Sequence, residues 1–404
     1  MLRRLEITNY FSIKDKQCLD FAVANNVPDI PGVFGETLGE PVVRVPKVIV
    51  LFGANASGKT TVLRALAFLR RFVQSSFLDT PDTPLPVMPF CDNEHCAKPT
   101  VLTVDFDGDF IKESPPCVYR YTLELDYSQA GSVNGDQKIP SAVVKREALY
   151  YAPSRKFRRL FERNGIEVKG SNEFKLRKNN YPAEIFRPNA SVISALKQYG
   201  HKIATDITER MNTIQTNVNF HKHEFQNTNA TQHYALNPHV LEKLNQQIGL
   251  FDLGIEDVSI DTKNGKHDIR FKHTGLNIAL PYSLESQGTQ RFYNMFAYLD
   301  FAHEAGGLAI MDEIDVDLHP SLLPEIIAWY RDSESNPENA QIIMACHNTS
   351  LMEHLEKEEI YFTEKSITGE TKIYGLKDIE GVRRNENFYK KYMAGEYGAL
   401  PGIG

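Results

Sequence analysis

Residues 53–60 read Gly53-Ala54-Asn55-Ala56-Ser57-Gly58-Lys59-Thr60, a Gly-x-x-x-x-Gly-Lys-Thr run with every fixed position filled. Two glycines at this spacing let the backbone curl until successive N–H groups point inward, and a helix opening at the lysine adds its positive dipole end. The chemistry is phosphate binding. It assigns Lys59 to the β- and γ-phosphates of a nucleoside triphosphate and Thr60 to Mg²⁺, with nucleotide contacts running from Gly53 to Thr61. Far along the chain, Leu308-Ala309-Ile310-Met311 leads into Asp312-Glu313. Asp312 is placed to hold the Mg²⁺ shell, and Glu313 to orient or deprotonate the attacking water. A third apolar run, Gln341 to Cys346, ends at His347. A histidine at that point can hydrogen-bond the γ-phosphate. Glu313, Lys59 and His347 are the expected catalytic residues.

These groups need strands and a helix behind them. Lys47-Val48-Ile49-Val50-Leu51-Phe52 is a short apolar run that predicts a buried strand. After the loop, Val62, Leu66, Leu69 and Val73 recur at steps of four, three and four, one face of a helix. Ser283-Leu284-Glu285-Ser286-Gln287-Gly288-Thr289-Gln290-Arg291 reads as a turn opening a helix whose Phe292, Phe296 and Leu299 share a face. Gly306 and Gly307 suit its C-terminal stop.

The Ser286-Gln287-Gly288-Thr289 turn resembles the signature motif of ABC-type ATPases, in the degenerate form of the SMC-like and OLD-like branch. Glu285 stands at its first position in place of leucine, and Thr289 at its fifth in place of glutamine. Leu5 to Ile13 resembles the first strand and turn of SMC-, RecF- and OLD-like heads. Val316-Asp317-Leu318-His319-Pro320 is similar to their D-loop, and Tyr392 to Pro401 to the tail of stand-alone AAA-15/AAA-21-type ATPases. The resemblance implies an α/β P-loop NTPase of ABC-head type with an antiparallel β subdomain, binding ATP and Mg²⁺ and hydrolysing ATP. It implies a homodimer or higher homo-oligomer in which Ser286, Gln287, Gly288 and Thr289 cap a nucleotide held by another copy. Such compact ATPases occur in prokaryotic anti-phage loci, among them PARIS, RloA-type and Septu-type systems. The resemblance therefore also implies a sensor or switch in abortive infection. Its partners would be a separately encoded effector, a nuclease or toxin, and a phage trigger protein or nucleic acid. A RecF/SMC-like DNA-repair or DNA-binding ATPase is the alternative. A self-contained nuclease of OLD type is disfavoured by the short stretch after His347.

Composition bounds the rest. The 404 residues are 42% hydrophobic and 24% charged, ordinary globular values, and the net charge of −7 gives no whole-chain field to attract nucleic acid. No apolar run approaches the ~20 residues of a membrane helix, and Met1 to Arg4 lead straight into an alternating strand without a signal-like segment. The five cysteines are odd in number and scattered, as in a reducing cytoplasm. Cys91, His95 and Cys96 lack the second half of a zinc site, and His221, His223 and Glu224 read as a solvated loop.

Three stretches are expected. Residues 1–156 form a first ATPase lobe with the phosphate loop, a proline-rich linker at Thr80–Pro86 and antiparallel strands over Val101–Phe106, Tyr119–Asp126 and Val143–Tyr151. Residues 157–249 form a mostly helical insertion, an arm or lid, with Ile193, Leu196, Ile203 and Ile207 as a partial stripe within a helical Ser191–Val218. Residues 250–404 carry signature turn, acids and histidine. Arg155, Lys156, Arg158, Arg159, Arg163, Lys169, Lys175, Arg177 and Lys178 cluster at the start of the insertion. They are either a solvated surface or a contact for a nucleic acid or partner.

Overall fold

The computed structural model describes residues 1–39, 41–112, 114–128, 133–134, 137–138, 141–176, 181–218, 227–250, 254–263, 266–316 and 321–400. A seven-stranded antiparallel sheet contains β1 (Leu2–Thr8), β2 (Gln17–Asp20), β4 (Thr100–Gly108), β5 (Cys117–Ser128), β6 (Ser141–Ala152), β7 (Arg158–Asn164) and β8 (Glu167–Gly170), in the order β8-β7-β6-β5-β4-β1-β2. A six-stranded sheet contains β3 (Val48–Phe52), β9 (Ile214–Thr216), β13 (Leu308–Met311), β14 (Gln341–Ala345), β15 (Ile360–Lys365) and β16 (Thr371–Gly375). Its order is β9-β13-β14-β3-β15-β16, parallel except for the β15–β16 pair. A small antiparallel sheet holds β10 (Ile255–Lys263), β11 (Lys266–His273) and β12 (Leu280–Pro281). The helices used below are α1 (Lys59–Ser75), α2 (Val192–Gln198), α3 (Lys202–Asn212), α4 (Asn227–Leu236), α5 (Pro238–Leu250), α6 (Gln287–Glu304), α7 (Leu322–Arg331) and α8 (Phe388–Met393).

The parallel sheet is apolar on both faces because both are covered. Ile49 and Leu51 point into one core with α1, α2, α3 and the antiparallel sheet, while Val48, Val50 and Phe52 point into a second core with α4 to α8. Strand alternation sends neighbours to opposite layers, and a two-sided burial leaves no polar position to alternate with. β3 sits between β14 and β15. The first and last stretches of the chain therefore share one sheet.

The expected insertion over 157–249 is not a separate arm. Its start, β7 and β8, extends the antiparallel sheet. Ser191–Val218 is not helical throughout: after α2 and α3, the chain turns into β9, which pairs in parallel with β13. Ile193, Leu196, Ile203 and Ile207 are buried in the first core rather than forming the stripe of a free-standing helix. A three-residue strand is too short for a period-two signal, and only its pairing with β13 defines it. Arg163 is likewise not part of a basic surface. It is fully buried, and its guanidinium donates to the carbonyls of Gly165, Phe186, Arg187 and Ala190 at 2.6–2.9 Å, with Glu147 3.7 Å away. His221, His223, Glu224, Arg177, Lys178, Asp317 to Pro320 and Pro401 lie outside the described residues.

Candidate nucleotide site

The phosphate loop joins β3 to α1. Gly58 caps α1 at φ 115°, Gly53 lies at φ 149° and Ala56 at φ 61°. The glycines are required twice over, by conformation and by crowding. A Cβ on Gly53 would lie 2.2 Å from the Thr363 carbonyl oxygen, and one on Gly58 would lie 2.4 Å from Thr371 Oγ1. Those two threonines, on β15 and β16, also grip the loop directly. Thr371 Oγ1 donates to the Ser57 carbonyl at 2.9 Å, and the Ser57 and Thr363 hydroxyls are 2.6 Å apart.

A cleft of about 1,010 Å³ opens above this loop. Asn55, Ala56, Ser57, Gly58, Lys59, Thr60 and Thr61 form its floor, and Asp312, Glu313 and His347 line it too. Phe11, Met88, Phe90 and Cys91 contribute an apolar wall that the sequence did not reveal. Lys59 Nζ bonds the carbonyls of Gly53 (2.8 Å) and Ala54 (3.1 Å). Burial lowers the pKa of this ammonium, with the Asp312 carboxylate opposing.

Asp312 and Glu313 follow β13. Burial pushes the Asp312 carboxyl up, and its hydrogen bond with Thr60 opposes that shift. Asp312 Oδ1 is buried with no hydrogen-bond partner among the described residues. An orphaned carboxylate oxygen beside a threonine hydroxyl is a hard oxygen pair that fits Mg²⁺. Asn217, just past β9, holds the Asp312 backbone on both sides: its Oδ1 accepts from Asp312 N at 2.7 Å, and its Nδ2 donates to Asp312 O at 2.8 Å. Glu313 is exposed to the cleft in the left-handed region, φ 48°. Asp315 Oδ2 accepts from the backbone N–H groups of His347 (2.8 Å) and Asn348 (2.7 Å), tying the turn after Glu313 to the turn that carries His347. Asn217 and Asp315 escaped the sequence reading. Asp315 lies four residues past an apolar run that the sequence shows, whereas Asn217 follows β9, which has no period of its own to mark it.

The signature turn stands elsewhere. Ser286 is the N-cap of α6, its Oγ accepting from Thr289 N at 3.1 Å, and Thr289 is buried. Ser286 and Gln287 are exposed, and none of Ser286 to Thr289 lines the cleft of their own chain. Within the Cys91–Cys96 segment, Asp92 accepts from the Glu94 backbone and bonds the His95 ring.

Among the described residues, no helix is long and apolar enough to cross a membrane. Solved structures similar to the chain include "SMC head domain from Thermotoga maritima" at 13% identity and TM-score 0.44, covering 93% of this chain and 98% of that one. A Smc head domain with an extended coiled coil bound to the C-terminal domain of ScpA, derived from Pyrococcus furiosus, gives 13% identity and TM-score 0.40 over 93% and 96%. A search of curated proteins gave no match. Residues 48–353, which span both the phosphate loop and His347, match the family described as "AAA domain, putative AbiEii toxin, Type IV TA system", and the chain belongs to that family of P-loop ATPases.

Proposed function

We propose that the chain binds ATP with Mg²⁺ in this cleft and hydrolyses it when a second copy presents its Ser286–Thr289 turn. In that state Lys59 leaves the Gly53 and Ala54 carbonyls for the β- and γ-phosphates. Thr60 and Asp312 hold the Mg²⁺, which neutralises charge on the phosphate oxygens. Glu313 takes the proton of the attacking water, and His347, fixed through Asp315, bonds the γ-phosphate. The observation that carries this reading is the mismatch of two surfaces. Asn55 to Thr61, Asp312, Glu313 and His347 line the cleft, whereas the signature turn does not: it is a capped helix N-terminus with Ser286 and Gln287 exposed, free to meet the phosphate of another copy.

The setting we propose is prokaryotic anti-phage defence by abortive infection, with this chain as sensor and switch and a separately encoded nuclease or toxin as effector. The family description, which names a toxin–antitoxin system, supports a conflict role. A chain with one phosphate-handling cleft can release energy and change shape, and needs another chain to cut or kill.

The test mixes two inactive chains. Lys59→Ala should lose nucleotide binding and Ser286→Arg should lose turnover. Their mixture should regain Mg²⁺-dependent hydrolysis, because one composite site in the mixed dimer is intact. Full turnover by Ser286→Arg alone would sink the two-chain site. Nucleic-acid cleavage by the purified chain that survives Glu313→Gln would make this chain the toxic component itself.

A further inference from the structure

The outer face of the antiparallel sheet neutralises its own cations. Arg120 pairs with Asp105 at 2.7 Å, Lys145 with Glu124 at 3.0 Å, and Arg146 and Arg159 share Glu162 at 2.7 and 2.9 Å. The turn between β6 and β7 breaks this pattern. Arg155-Lys156-Phe157-Arg158-Arg159 is exposed throughout. Among the described residues, Arg155, Lys156 and Arg158 form no ion pair; Glu173 feels the charge of Arg158 without closing on it. In a chain of net charge −7, three cations within four residues thus have no ion pair among the described residues.

An aromatic ring lies among them. Phe157 is 38% exposed, and the Arg120 guanidinium sits 4.3 Å from its ring centroid. Arg120 is itself fixed by two hydrogen bonds from its guanidinium to Asp105. The ring is therefore held by a positioned cation while part of it faces solvent. Register puts Arg159 in the same row as Tyr150 and the ring-holding Arg120, whereas Arg158, opposite Tyr151, leaves the exposed start of β7 from the other face.

We propose that this turn binds single-stranded nucleic acid, with Arg155, Lys156 and Arg158 on phosphates and a base stacked on Phe157. Cations tracking a backbone beside an aromatic platform are what single strands require. A duplex keeps its bases stacked and offers no face to Phe157. An acidic protein segment would satisfy the cations and leave the ring unused. The site is separate from the nucleotide cleft. β7 lies near one edge of the sheet, whereas β1, which leads to Phe11 and Ser12 in the cleft wall, lies near the other. The proposal does not depend on ATP hydrolysis.

Fluorescence anisotropy with a labelled oligonucleotide of about 12 residues tests it. DNA and RNA single strands, the matching duplex and polyglutamate are compared across a salt series. The single strand should bind more tightly than the duplex and than polyglutamate. Replacing Arg155, Lys156 and Arg158 together by Gln should reduce the slope of log affinity against log salt by about 2, at roughly 0.7 per lost phosphate contact. Phe157→Ala should weaken binding by about 5-fold or more and leave the slope unchanged. Nucleotide affinity of each variant reports folding. If the triple variant melts lower, Arg155→Gln and Lys156→Gln singly carry the test, each with a slope change of about 0.7. Absent binding at low salt, tighter binding of duplex or polyglutamate, or variants indistinguishable from the parent chain would overturn the proposal.

Discussion

The guanidinium of Arg291 donates a hydrogen bond to the backbone carbonyl of Glu313 at 2.7 Å. Arg291 lies in the first turns of α6, five residues after the Ser286 cap, and Glu313 holds a left-handed φ of 48°. The helix proposed to face a second copy is thus braced against the acid proposed to activate water in its own cleft. Arg291→Ala should lower turnover about 10-fold or more and leave nucleotide affinity nearly unchanged, since small displacements of an aligned group are costly in rate. Arg291→Lys should recover part of the loss. Hydrogen exchange over 312–316 in the nucleotide-free chain gives an independent reading, and should speed up in Arg291→Ala.

Gly58→Ala should abolish nucleotide binding although it removes no functional group. At φ 115° an added methyl is strained, and its Cβ would lie 2.4 Å from Thr371 Oγ1. Either β16 or the loop must move. Calorimetric titration with a non-hydrolysable ATP analogue should show no binding. Truncating the obstruction with Thr371→Ala should restore some of it, though the strain at φ remains.

Asn217→Ala should weaken Mg²⁺-dependent nucleotide binding and lower stability by about 1–3 kcal/mol. It leaves the N–H and C=O of Asp312 without the partners they have at 2.7 and 2.8 Å. Asn217→Asp should be worse than Ala in the denaturant melt. It keeps the acceptor, loses the donor to the Asp312 carbonyl, and places a second negative charge beside the Asp312 carboxylate. Denaturant melts and Mg²⁺ titrations separate the two effects, and equal Mg²⁺ dependence in all three chains would remove Asn217 from the site.

Stability should fall from mildly acidic to alkaline pH through Glu359. This carboxyl is fully buried, accepts from the Arg331 guanidinium and from Glu356 N, and burial pushes it up to about 7. A carboxyl whose folded pKa exceeds its unfolded one binds its proton more tightly in the native state. Its stabilisation is fully present below the unfolded value of 4.5 and is lost as pH rises through about 7. The swing is on the order of 3 kcal/mol. Thermal melts across that window should flatten in Glu359→Gln, and an unaltered slope would discount the group.

Much of the site was legible in one dimension because its chemistry is local. A glycine-rich turn between an apolar strand and an amphipathic helix needs only consecutive residues to be recognised, and Asp312, Glu313 and His347 each stand where an apolar run stops. The cap at Ser286, with the buried Phe292, Phe296 and Leu299 after it, follows from local spacing in the same way. Tertiary structure decided which distant groups serve that loop. Thr363 and Thr371 lie some three hundred residues from the glycines they crowd. Asn217 meets Asp312 only because β9 pairs with β13, and a strand of three residues carries no period of its own. Arg163 shows the reverse case. The cations shortly before it, Arg155, Lys156, Arg158 and Arg159, are exposed, but the Arg163 side chain enters a pocket of carbonyls from 165 to 190 and is buried. The charge of a residue is fixed by its type; whether water, a carboxylate or a ring of carbonyls faces that charge depends on chain segments far from it in sequence.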